Sequence, residues 1–121
     1  MKTSDLIGPA LDWAVAKCEG IALESFMAAT NWLKRVQQEP HDLDVEPYHA
    51  YQFSTGWAQG GPIIEREKIH CEWSALWAAW YSYDKRNAAL SFTGPTPLIA
   101  AMRCYVASKL GDEVDIPEEL K

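Results

Sequence analysis

The chain has 121 residues, 48% of them hydrophobic and 23% charged, which is typical of one globular domain. The formal net charge of −6 argues against a general DNA-binding protein, because such proteins need a basic face. Three cysteines without CxxC spacing, no signal peptide and no apolar run of membrane-spanning length predict a soluble cytoplasmic protein.

The first predicted helix covers residues 4–19. Thr3 or Ser4 can cap it, and Gly20 is a typical C-terminal stop. Pro9 interrupts the first turns, so the regular part is expected to begin there. Asp12 is expected on a solvated face. The apolar positions recur at helical spacing: Ile7, Leu11, Ala14, Val15 and Cys18.

Residues 21–38 predict a second helix, although polar side chains in the middle of this stretch lower its helix propensity by competing for backbone hydrogen bonds. Residues 39–50 read as a polar connection, followed by a short extended piece at 51–53. The connection carries side chains of the metal-binding types, but nothing fixes a ligand geometry, so we expect a solvated loop without a metal. These side chains are His41, Asp42, Asp44, Glu46 and His49.

The centre of the chain predicts a short helix and an antiparallel sheet. Gly60 and Gly61 suggest a flexible turn, with Pro62 as the first residue of the helix. Residues 69–73 alternate as a strand, and residues 90–92 form a short last strand after a turn at 84–87. Residues 76–83 fit a strand because of their aromatic content, but a helix over 74–83 fits nearly as well.

The surest prediction is the last helix. Thr96 is a favoured N-cap, Pro97 suits the first helical position, and Gly111 follows as the terminator. Residues 112–121 form an acidic tail that should pack through Val114 and Ile116. The predicted fold is a small single α+β domain, in which one or two N-terminal helices precede a short antiparallel sheet and the capped C-terminal helix packs on the sheet.

The six tryptophans are a heavy aromatic load for this length. The simplest interpretation is a tryptophan-rich core. The alternative is that one or two of them line a ligand-binding or protein-binding face, since flat rings stack on bases and fill interface pockets.

Three stretches carry a resemblance to a known family: LDWAVAK at residues 11–17, WAQGGPIIER at 57–66 and GPTPLIAAMR at 94–103. Together they resemble the NinX-like family of phage and prophage proteins. The resemblance implies a small cytoplasmic protein from a phage accessory region, with residues 21–53 as a variable segment. It implies no mechanism, because the family carries no function that could be transferred.

Two Gly/Pro turns before predicted helix starts suggest an anion site, because helix N-termini present free N–H groups and a positive dipole end. Ordinary helix capping explains the same residues, and Arg103 would then pair with Glu65 or Asp12. A pocket for a nucleotide-like anion would comprise Trp57, Gln59, Gly60, Gly61, Arg66, Thr96 and Arg103.

No Walker A, dinucleotide or catalytic motif is visible in the sequence, so an enzyme is not favoured. Two functions stay open. The first is a non-catalytic binder that sequesters a phosphorylated or nucleotide-derived host defence signal, without a further cofactor. The second is an acidic modulator that docks on a host or phage protein. A homodimer is compatible with either.

Overall fold

The computed structural model describes residues 1–29 and 51–121, and within them all side chains except those of residues 87–89. Helix α1 spans Gly8–Cys18, α2 is described over residues 23–29, α3 spans Trp57–Glu67 and α4 spans Pro97–Leu110. Strands β1 (Ile69–Ser74), β2 (Ala79–Asp84) and β3 (Asn87–Gly94) form an antiparallel sheet in that order. The predicted α+β class is confirmed.

Helix α4 is the centre of the domain and contacts α1, α3 and all three strands. The predicted cap is present, since the Thr96 side chain accepts a hydrogen bond from the Ile99 N–H at 3.1 Å. Pro97 occupies the first turn and Gly111 follows at φ +86°. Most of the helix is buried, including Leu98, Met102 and Val106, so tertiary packing on several sides stabilises it.

The sheet has one face against α4 and one face turned away. In β2, Ser82 and Asp84 are buried beneath α4, whereas Tyr81 and Tyr83 alternate onto the opposite, outer face. The register pairs Tyr81 with Glu72 of β1 and with Thr93 of β3. The strand interpretation of residues 76–83 is therefore correct, with the strand beginning at Ala79 after a turn at 75–78.

Helix α3 corrects the prediction of a helix that begins at Pro62. The helix already begins at Trp57, and Pro62 lies inside it. Gly60 and Gly61 are helical, not a turn. Gly60 is buried so closely against the Phe53 carbonyl and Leu98 that no side chain fits, which is why glycine occurs in a helix interior here.

The N-terminal segment differs from the predicted helix 4–19 in its first turns. Thr3–Asp5 form a short 3-10 helix, and α1 begins separately at Gly8 without a side-chain cap. The Thr3 hydroxyl instead donates to the Gly111 carbonyl at 2.6 Å. Gly20 follows the helix end at φ +82°, as predicted.

Asp12 is buried, not solvated. Its Oδ1 accepts hydrogen bonds from the backbone N–H of Ser54 at 2.8 Å and from the Ser54 hydroxyl at 2.7 Å. These two hydrogen bonds hold the turn at residues 53–55 against α1. The predicted extended piece at 51–53 is therefore wrong at Phe53, which begins the turn.

The acidic tail packs as predicted, with Val114 and Ile116 buried. The tryptophan-rich core is wrong for the described residues, because Trp13 is the buried one and Trp57, Trp73 and Trp77 are exposed. Residues 23–29 agree with the predicted second helix. Its remainder, the polar connection with its five candidate metal ligands, and Trp32 lie outside the described residues.

Candidate functional site

The seven predicted site residues lie at three separate places. Trp57 and Thr96 share a cavity of about 160 Å³ between the start of α3 and the start of α4. Within α3, Gln59 is used locally, since its side-chain oxygen accepts from the Gln52 N–H at 2.8 Å. Because Gly60 and Gly61 are inside the helix, they do not form the helix start on which the predicted anion site depended.

Arg66 lies at the other end of α3 and is occupied by its own chain. Its guanidinium forms two hydrogen bonds to the Glu19 carboxylate, at 2.8 and 3.1 Å, and further ones to Glu67 and to the Tyr105 hydroxyl. The hydrogen bonds that Arg66 donates to Glu19, and then to Glu67, raise the pKa of Arg66. The hydrogen bonds that Glu19 accepts from Arg66, and then from the Tyr105 hydroxyl, lower the pKa of Glu19. This arrangement ties α1, α3 and α4 together.

Arg103 and Tyr105 lie on different sides of α4, because two positions along a helix rotate a side chain by about 200°. Arg103 is therefore on the side of α4 away from the Arg66 contact. Its Nε donates to the Leu6 carbonyl and its Nη1 to the Thr93 carbonyl, each at 2.8 Å. The predicted pairing with Glu65 or Asp12 is therefore wrong. Desolvation lowers the pKa of Arg103, but the group stays a cation at any physiological pH.

The outer face of the sheet holds the most distinctive group of side chains among the described residues. Four rings form a continuous series that we call the aromatic row: Trp77, Tyr81, Tyr83 and His70. Successive ring centroids are 5.4, 5.6 and 4.6 Å apart. These distances are those of ordinary aromatic pairs, and the rings are tilted to one another by 65°, 45° and 31°. The row is therefore a packed series of rings in mutual contact and not a coplanar surface.

A cavity of about 440 Å³ opens at the β3 end of the aromatic row, and we call it the sheet-face cavity. Trp77 and Tyr81 supply its aromatic walls. Hydroxyl groups converge on it from the N-terminal 3-10 helix and from β3. The full lining is Ser4, Trp77, Ala79, Tyr81, Ser91, Phe92 and Thr93. Its volume lies in the range of small-molecule sites.

The chemistry of this lining favours binding over bond making. It contains aromatic faces, methyl groups and hydroxyls, and the described residues place no carboxylate, imidazole or thiol in it. A flat heteroaromatic group can stack on Trp77 or Tyr81 and hydrogen-bond with Ser91, Thr93 or Ser4. A fixed cation borders the cavity, since the Arg103 guanidinium donates to the carbonyl of the lining residue Thr93.

Sequence reasoning missed this site because it treated most tryptophans as core residues. The available signal was the alternation within β2, where Tyr81 and Tyr83 share one face while Ser82 and Asp84 share the other. A strand whose buried positions are polar and whose outward positions are tyrosines has its aromatic side available for contact.

The other ionisable groups form a structural network. Glu67 accepts hydrogen bonds from Arg66 and Arg86 and lies 3.8 Å from the Lys109 amine. These hydrogen bonds, led by the one from Arg66, lower the pKa of Glu67.

Burial is the main cause that raises the pKa of the Cys18 and Cys104 thiols, to about 11 and about 12, so both are protonated at neutral pH. Neither is an activated nucleophile.

The described residues contain no group of three or more His, Cys, Asp or Glu side chains positioned to hold a metal ion. Within residues 1–29 and 51–121, none of the helices has the length and apolar character needed to cross a membrane.

Comparison with known proteins gives one family. A family model described as Bacteriophage P22, NinX matches residues 2–109 of the 121. No curated protein matches the chain. The family match includes the three stretches that carry the resemblance, together with α3, the sheet and nearly all of α4. The chain belongs to the NinX family of phage proteins.

Proposed function

We propose that this phage protein is a non-catalytic accessory binder that holds a small nucleotide-derived ligand in the sheet-face cavity. The single observation that carries the proposal is the lining of that cavity, which combines aromatic rings with residues that bear hydroxyl groups. A nucleobase is flat, polarisable and rimmed with hydrogen-bonding groups, so it matches both parts of the lining.

The position of Arg103 supports a phosphorylated ligand. Its guanidinium bonds the carbonyl of Thr93 at the β3 border of the cavity, which fixes a positive charge there. A base stacked on Trp77 or Tyr81 would direct its ribose and phosphate toward that border. Arg66 does not serve this ligand, because Glu19, Glu67 and Tyr105 already occupy it.

Sequestration is the action that such a site supports. Among the described residues the lining offers hydroxyls but no carboxylate, imidazole or thiol that could activate them. Tight binding alone is enough to withdraw a signalling nucleotide from a host pathway. The proposed role is therefore removal of a phosphorylated or nucleotide-derived host defence signal, by mass action and without turnover.

The experiment is a thermal-shift series with ribonucleosides, their 5′-monophosphates and cyclic dinucleotides as probes. A ligand that binds the native state increases the free energy of unfolding, by about 2.7 kcal/mol at a concentration 100 times Kd, and so raises the unfolding temperature. We expect a shift for at least one base-bearing phosphate, and a smaller shift for its nucleoside because the contribution of Arg103 is lost.

The matched variants are Trp77→Ala and Trp73→Ala. The two side chains are similarly exposed, at 56% and 53%. Trp73 lies just before the turn at 75–78 and packs on Trp80 at the other face, whereas Trp77 lies within the turn and lines the cavity. Trp77→Ala should abolish the shift while Trp73→Ala retains it. Equal loss in both variants, or no shift with any probe, contradicts the proposal.

A second candidate is the acidic modulator that docks on another protein. The turn between β1 and β2 favours it, because Leu76 is 87% exposed between Trp73 and Trp77. Large apolar side chains at a protruding turn are typical interface anchors. Here Leu76→Ser would abolish binding to a purified partner and leave the nucleotide-induced shift unchanged, which separates this function from the first.

A further inference from the structure

Strand β1 is an edge of the sheet that residues 1–29 and 51–121 form. It pairs with β2 on one side, and no backbone hydrogen bond from the described part of the chain reaches its other side. Its sequence from Ile69 to Ser74 contains no proline and no lysine, the residues that commonly protect a free edge. We infer that this edge pairs antiparallel with β1 of a second copy, in a register centred on Cys71.

The register follows from symmetry. A two-fold axis perpendicular to the sheet keeps each side chain on its own face, so the centre must fall on a residue and not between two residues. A centre at Glu72 would place Glu72 opposite itself, which is repulsive. A centre at His70 would place the two imidazoles opposite each other, with no carboxylate directly across from either. A centre at Cys71 places each His70 opposite the second copy's Glu72, twice.

The charges on the outer face favour the Cys71 register. Within one chain, His70 Nε2 and Glu72 Oε2 are already 3.5 Å apart on the same face. Pairing two copies about Cys71 places the His70–Glu72 pair of one copy antiparallel to the same pair of the other. The result is a square in which each carboxylate has an imidazole beside it and another opposite, so donor and acceptor groups alternate around the axis.

The same register covers an exposed ring on the inner face. It places Ile69 of each copy opposite Trp73 of the other, and Trp73 is among the exposed large hydrophobic residues. Two such apolar pairs flank the axis. The pairing gives one continuous six-stranded sheet, with the aromatic rows of both copies on the same face. This inference rests on β1 alone and does not depend on the proposed ligand.

The first test is analytical ultracentrifugation over a concentration series. The wild type should sediment as a monomer–dimer equilibrium, and His70→Glu, which creates two Glu–Glu pairs, should raise the dissociation constant about tenfold. The double variant His70→Glu, Glu72→His exchanges the partners and should restore wild-type dimerisation. Ala58→Glu, at an exposed position on α3, controls for the added charge.

The second test reports the register. Directly opposed residues on antiparallel strands have Cα atoms about 4.5–5.5 Å apart, which a disulfide can bridge. Mild oxidation followed by peptide mass spectrometry should yield a Cys71–Cys71 link between copies. A wild type that stays monomeric throughout the concentration series overturns the inference. So does a dimer that forms without the Cys71 link and ignores the His70→Glu change.

Discussion

Two adjacent glycines in α3 should respond to alanine with opposite signs. A Cβ on Gly60 would lie 2.6 Å from Leu98 Cδ1 and closer still to the Phe53 carbonyl oxygen. Neither neighbour can move easily, because Leu98 is buried in α4 and the hydrogen bonds between Ser54 and Asp12 fix the turn that follows Phe53. A Cβ on Gly61 would meet only one ring atom, at 3.8 Å.

These distances set the magnitudes. Overpacking typically costs about 1–3 kcal/mol, and Gly60 falls at the upper end because two neighbours lie too close to its Cβ. Alanine offsets roughly 1 kcal/mol of this through its helix propensity, so Gly60→Ala should lower the free energy of unfolding by about 2 kcal/mol. Gly61→Ala has no clash and should raise it by about 0.5–1 kcal/mol. The two variants therefore differ by about 3 kcal/mol in one helix.

Urea denaturation followed by circular dichroism measures both changes. With an m-value of about 1–3 kcal/mol/M, the Gly60→Ala midpoint should fall by about 1 M while the Gly61→Ala midpoint rises. An unchanged m-value confirms that the native states are comparable. If Gly60→Ala is as stable as the wild type, the close packing of α3 on α4 is refuted. A loss at Gly61 would equally contradict a continuous helix.

Three further predictions concern single hydrogen-bonding groups. Asp12→Ala should lower the free energy of unfolding by about 2–3 kcal/mol, because both Ser54 donors are left buried and unbonded, while Asp12→Asn should cost much less. Desolvation raises the Asp12 pKa from 3.8, so the stability that this group contributes to the wild type falls as the pH rises above that value. Urea melts of Asp12→Asn should lack this pH-dependent component. Thr96→Ala removes the cap on the Ile99 N–H and should lower thermal stability by about 1 kcal/mol, whereas Thr96→Ser should not. Glu67→Gln should destabilise the protein above pH 4.5 and lose this effect in acid, because hydrogen bonds led by the one from Arg66 lower the pKa of Glu67; a pH-independent effect in melts from pH 3 to 7 would contradict this.

Local signals in the sequence were sufficient for α4. Its cap, its N-terminal proline and its terminating glycine are all short-range features, and each has the predicted role. The tail contacts through Val114 and Ile116 and the strand character of β2 were likewise predictable, because apolar spacing and aromatic content decide them locally.

The errors arise where tertiary contacts override local rules. Gly60, Gly61 and Pro62 are residues typical of a turn, yet they continue α3 because that helix must pass close to the Phe53 carbonyl and Leu98. Asp12 looked like a surface residue, but a partner 42 positions away satisfies its buried carboxylate. No pattern within one element contains that information.

The candidate site was harder to predict than the fold. Arg66 and Arg103 were expected to converge on one ligand, but they lie at different places. The Glu19 carboxylate pairs with Arg66. Arg103 donates to the carbonyls of Leu6 and Thr93, and Thr93 lines the sheet-face cavity. The sheet-face cavity instead joins residues from the first turn of the chain, from the β1–β2 turn and from β3. Its assembly depends on sheet register and on how the N-terminus folds back, which composition and spacing do not specify.

Native mass spectrometry of the protein purified from a bacterial host is the most direct measurement of the central claim, which is that the sheet-face cavity holds a small nucleotide-derived ligand. We predict a reproducible added mass of nucleotide size on the wild type, retained in Trp73→Ala and absent from Trp77→Ala. A wild-type protein with the mass of the chain alone, together with no thermal shift against the nucleotide series, would contradict the claim and favour a protein partner at the exposed turn.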